Sequence, residues 1–106
     1  MDVEECAAAI EVDDTHIWGL ASNLTDRACG DNDPREVMRR IIAIAERAGK
    51  PILYGTRKQP YDWSLGEQLE TLRPGDVVTY CFIEPDETLE SNGRVVEELG
   101  KARERG

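Results

Sequence analysis

The sequence predicts an α+β fold, or a small three-layer α/β arrangement, with one small mixed sheet and two or three packed helices. Three observations carry this. Residues 33–49 combine a helix start, a one-sided apolar stripe and a glycine stop. Val77-Val-Thr-Tyr-Cys-Phe-Ile83 is rich in β-branched and aromatic residues, as a central strand is. From residue 50 onward, strand and helix patterns alternate, which favours a right-handed crossover and hence some parallel pairing. At 106 residues the chain reads as one domain, 1–106, with a single modest core and a few frayed C-terminal residues.

At the start, Cys6, Ala8, Ile10 and Val12 fall on one side of an extended chain, Asp13-Asp14 suggests a turn, and Thr15–Trp18 reads as a returning strand. The expectation is an N-terminal hairpin, with the alanines leaving a helix as the alternative. Ala21–Asn32 has loop character. Asp33 is then a helix cap, Pro34 sits where its missing N–H costs nothing, and Glu36 takes the third position of a capping box. Val37, Ile41, Ile44 and Ala48 recur at helical spacing, and Glu36/Arg40 and Glu46/Lys50 are potential pairs four residues apart. Gly49 closes the helix and Pro51–Thr56 is a short strand.

Arg57–Trp63 places two cations, a proline and two aromatics on a loop. Ser64 and Glu67 form a second capping box, Leu65, Leu69 and Leu72 make a helical stripe, and Pro74-Gly75 is a turn into the strand at 76–84. Asn92-Gly93 is a hairpin signal, but Val95, Val96, Leu99 and Ala102 fit a helix over about 92–103, which is the favoured reading.

Leu69-Glu-Thr-Leu-Arg-Pro-Gly-Asp-Val-Val-Thr-Tyr80 resembles a stretch in the catalytic domains of serine recombinases, where a helix, a Pro-Gly-Asp turn and a strand follow each other. The resemblance implies that local helix–turn–strand order. It implies no activity, because Cys81–Asp86 replaces the arginine-bearing segment of those enzymes and their N-terminal strand with its nucleophilic serine is missing.

Formal net charge is −9, unevenly spread. Residues 1–33 hold nine acids and one base, residues 34–75 five acids and eight bases, residues 76–106 eight acids and four bases. An acidic surface disfavours direct nucleic-acid binding and anionic membranes. No apolar run approaches a membrane-spanning length and the acidic start is unlike a signal peptide, so the expected compartment is cytoplasmic. Cys6, Cys29 and Cys81 are too widely spaced for a zinc knuckle or a disulfide framework, and Cys6 and Cys81 read as buried thiols. No metal ligand set and no cofactor motif is expected.

The residues define no reaction. The leading reading is a non-enzymatic interaction protein (inhibitor, adaptor or regulator) that binds a protein partner, or a copy of itself, through a charged surface made by Arg57, Lys58, Tyr61, Trp63 and Arg40. The alternative is a small-ligand or enzymatic pocket around Gly55–Trp63, for a nucleotide or other anion, with His16 as a base and Asp13, Asp14 or a distant carboxylate as its orienting acid. Trp63 also suits a place beneath the cap of the second helix. A third reading has the N-terminal acids (Asp2, Glu4, Asp13, Asp14, Asp26, Asp31) imitating a nucleic-acid backbone.

Overall fold

A computed structural model describes residues 2–56, 63–79, 90–91 and 93–106. The chain is an α+β fold in which helices pack against a three-stranded sheet of order β1-β2-β3, formed by Leu20–Asn23, Ile52–Gly55 and Val77–Thr79. Both described pairings are parallel, with Leu20 opposite Ile52 and Leu53 opposite Val77. The helices are α1 (Val3–Val12), α2 (Asp26–Cys29), α3 (Pro34–Ala48), α4 (Leu65–Glu70) and α5 (Glu97–Glu104).

α1 replaces the expected N-terminal hairpin. Asp2 accepts a hydrogen bond from the Glu5 amide at 2.9 Å and so caps a helix, and Ala7 and Ile10 are buried against Ile44 of α3. Ala8 and Val12, which the extended reading placed inside, are exposed. Thr15–Trp18 is turn and irregular chain, and the first strand instead lies within the predicted loop, at β1. Gly19 is needed just before it, because a Cβ there would lie 2.6 Å from the Pro51 carbonyl oxygen.

α3 starts and stops as predicted, with Asp33 accepting from the Arg35 amide and Gly49 left-handed at φ 64°. Glu36 does not reach back to complete a box. Its carboxylate accepts from Arg39 and Arg40, and these hydrogen bonds hold its pKa below the ordinary glutamate value. Lys50 pairs with Asp14 at 2.7 Å rather than with Glu46, and Arg47 pairs with Glu4, so two cations of α3 and its exit clamp α1 in place.

Register decides which residues share a face, since paired residues of a parallel sheet point the same way. Leu20, Ser22, Ile52, Tyr54 and Val78 point to the helix side. There Ile52 and Tyr54, fully buried, join Leu24, Cys29, Met38, Ile41, Ala45 and Trp63 in the main core. The Tyr54 hydroxyl donates to Gln68 Oε1 at 2.7 Å, and Gln68 Nε2 donates to the Trp63 carbonyl at 3.0 Å. This buried polar chain ties β2 to α4. Ala21, Leu53 and Val77 point to the other face and belong to neither core cluster.

α4 has the predicted capping box. Ser64 Oγ accepts from the Glu67 amide, and Glu67 Oε2 accepts from the Ser64 amide at 2.7 Å, which lowers the Glu67 pKa. A turn then delivers Asp76 to the start of β3, so the helix–turn–strand order from Leu69 is present; residues 80–84 of the expected strand lie outside the described residues. The C-terminal part contains both alternatives read from the sequence. β4 (Glu90–Ser91) and β5 (Arg94–Val95) form a two-stranded antiparallel sheet, and α5 follows it. The helix therefore starts later than expected, at Val96 as N-cap with no side-chain cap, rather than at Ser91 or Asn92.

Candidate functional site

α5 is short, and none of its residues is fully buried. Its half-buried positions, Leu99 and Ala102, recur one turn apart and face α4 and β3 across an open groove of about 450 Å³. Leu69 and Leu72 from the α4 side and Val77 and Val78 from β3 complete an apolar lining. The charged residues at this groove are Arg73, Arg103, Arg105 and Asp76. Three cations to one anion is opposite in sign to the molecule's net charge of −9.

Asp76 anchors one end of the groove. Its side chain is 1% exposed and accepts from the Ile52 amide at 2.8 Å, the Arg73 amide at 2.8 Å and the Arg73 guanidinium at 3.0 Å. Burial opposes its ionisation, yet the hydrogen bonds from Arg73 and Ile52 outweigh it and hold the carboxyl below the ordinary aspartate range. Arg73 also donates to the Lys50 carbonyl at 2.9 Å, so the starts of β2 and β3 and the exit of α3 meet on one ion pair. Beside it, the Gly75 amide donates to the Gly106 carbonyl at 2.8 Å, and Arg105 donates to the Leu69 carbonyl, which seats the end of α5. Glu97 and Lys101 pair on the outer surface of α5, the contact lowering the pKa of Glu97 and raising that of Lys101.

Of the residues singled out in the sequence, Trp63 is only 7% exposed, packed in the main core with the Arg35 guanidinium 5.6 Å from its ring centroid. Its carbonyl accepts from Gln68 of α4, and its ring borders a small open cavity with Arg35, Met38, Arg39, Ile42 and Thr71. Arg40 is half-exposed and bonded to Glu36 at 2.9 Å. Arg57, Lys58 and Tyr61 lie outside the described residues. His16 is exposed and bonded through Nδ1 to Asp13 Oδ1 at 2.7 Å, while Asp14 is taken by Lys50. The candidate base is therefore joined to Asp13, one of its candidate orienting acids, and not to Asp14. Among the described residues, no group of three or more His, Cys, Asp and Glu is placed to hold a metal ion. Cys6 is half-buried on α1 and Cys29 lies in the core; Cys81 is outside the described residues.

Two features had little sequence signal. The groove unites residues from three separate elements, and only the Leu99–Ala102 spacing hinted at it. The hydroxyls of Ser22 and Thr56 are the second. Both residues are buried, and among the described residues these are the buried side-chain polar atoms without a hydrogen-bond partner. The strand holding Ser22 was read as a loop, which hid the pairing that puts it beside Tyr54.

The structure thus defines a small α+β fold with a cation-rimmed apolar groove. No family model, curated protein or solved structure matches the chain. Among the described residues, no helix is long and apolar enough to cross a membrane.

Proposed function

We propose that this chain is a non-enzymatic, single-domain interaction protein that binds a protein partner in the groove between α4, β3 and α5. One observation carries the reading: an apolar cleft bordered by Arg73, Arg103 and Arg105 on an acidic molecule. Apolar contact supplies affinity, and a local charge opposed to the surrounding field selects acidic partners and turns away basic ones. The three cysteines, widely scattered along the chain, suit a cytoplasmic setting.

The test is capture from native extract with wild type, Leu99→Glu and Arg57→Glu/Lys58→Glu, followed by reconstitution of the recovered partner as a purified pair. Leu99 is only half-buried, so a glutamate there alters the groove more than the fold. Leu99→Glu should weaken the purified pair at least tenfold while its circular dichroism matches wild type. A partner held equally by Leu99→Glu removes the groove from the reading. Loss confined to Arg57→Glu/Lys58→Glu transfers the contact to the basic loop.

A second reading, a small oxyanion near the carboxyl ends of β1 and β2, is supported by Ser22 and Thr56. Ligands of parallel sheets gather at that end, and the buried hydroxyls of Ser22 in β1 and Thr56 just after β2 are donors in need of an acceptor. Inorganic phosphate should then produce a saturable change in tryptophan fluorescence that Ser22→Ala/Thr56→Val abolishes. No change at millimolar phosphate, against chloride of equal ionic strength, ends this reading.

A further inference from the structure

We infer that the occupant of the groove is an extended segment of the partner protein, alternating apolar and acidic residues, laid along β3 as an added strand. This deepens the groove reading and rests on it. Neighbouring residues on a strand point to opposite faces, yet Val77 and Val78 both line the cleft. A cavity that passes the edge of β3, rather than lying over one of its faces, meets both in this way. Among the described residues, β3 pairs with β2 alone, so no described strand occupies the outer edge that borders the apolar floor. Peptides recognised by strand addition use both: the backbone pairs with the edge, and every second side chain enters the groove.

The dimensions argue against a helix as occupant. A helix about 10 Å across would fill a space of about 450 Å³ with roughly one turn, too little to present an apolar face. A strand rises about 3.3 Å per residue and places alternate side chains on opposite sides. Its inward residues meet Leu72 and Leu99, and its outward residues come within reach of Arg103 and Arg105. Arg73 contributes less to selection because its charge is matched by Asp76. The cationic border sets the chemistry of those outward residues as aspartate or glutamate.

The experiment uses fluorescein-labelled heptapeptides followed by anisotropy on the full chain: one alternating valine and aspartate, one alternating valine and lysine, and two valine–aspartate versions N-methylated along one or the other edge. The expected result is saturable binding of the valine–aspartate peptide, at least tenfold tighter than the lysine version, and weakened at least tenfold by methylation of one edge only. Leu99→Glu should abolish it, and Arg103→Glu/Arg105→Glu should erase the preference for acid. Equal binding of the lysine peptide, or indifference to both methylations, overturns the inference. If the purified partner still depends on Leu99 while no peptide binds, the strand inference falls and the groove reading stands. If Leu99→Glu leaves partner and peptide binding unchanged, the groove reading falls as well. A concentration-dependent dimer in sedimentation that Leu99→Glu dissociates makes a second copy the occupant and also overturns the inference.

Discussion

Asp76→Ala will destabilise the protein by about 3 kcal/mol, the lower end of what removing one partner from a buried ion pair costs. The lower end applies because Arg73 keeps a quarter of its side chain in water and can be partly resolvated. The loss is not a matter of Coulomb attraction alone. Without the carboxylate, the Ile52 amide at the start of β2 and the Arg73 amide in the turn before β3 both lose their acceptor. Urea unfolding at pH 7 should show a lower midpoint with an unchanged slope. Asp76→Asn, which keeps the shape and one acceptor oxygen, should lose less. The same group sets an acid limit. Its folded pKa lies below the ordinary value of 3.8, so its contribution is complete above that pH and declines as pH falls toward the folded pKa. The stability gap between wild type and Asp76→Asn should therefore be constant at neutral pH and narrow below about pH 4. A gap that does not change between pH 7 and pH 2 would contradict the assigned ionisation.

Tyr54→Ala will be the more damaging change, at about 4 kcal/mol, since it empties a fully buried aromatic position between β2, α3 and α4. Against a total stability of about 5–15 kcal/mol for a typical domain, that approaches unfolding. Tyr54→Phe separates the two parts of the effect. It keeps the ring and removes the hydroxyl that donates to Gln68, at a cost of about 1–2 kcal/mol. Chemical denaturation of both variants reads these numbers directly. If Tyr54→Phe proved as harmful as Tyr54→Ala, the hydroxyl would outweigh the packing and the core would need another description.

The parts of the fold legible in the sequence are those whose signals are local. Asp33-Pro34, Gly49 and the Ser64/Glu67 box mark helix ends within a few residues of themselves, and the structure keeps those ends. The N-terminal helix was hidden because two periods fit the same stretch. Cys6, Ala8, Ile10 and Val12 satisfy a strand, while Val3, Cys6, Ala7 and Ile10 satisfy a helix. What separates them is the Asp2 cap together with a partner surface at Ile44, far along the chain. β1 has one large apolar residue in four and becomes a strand through its ladder to β2, a tertiary effect that propensity does not carry. At the C-terminal end, Asn92-Gly93 and the Leu99/Ala102 spacing were competing signals, and both operate in succession. The site was harder still. Trp63 fits by type both a binding surface and a place beneath the α4 cap, and its 7% exposure agrees with the second, while the groove needs α4, β3 and α5 assembled before it exists.

Parallel sheets are as a rule sheltered on both sides. Here Ala21 and Val77 are exposed and Leu53 is only half-buried on the side away from the core. Apolar surface that stays hydrated in the native state adds nothing to the rise in heat capacity on melting. The curve of stability against temperature should accordingly be flatter than chain length alone implies, leaving this small protein comparatively insensitive to cold.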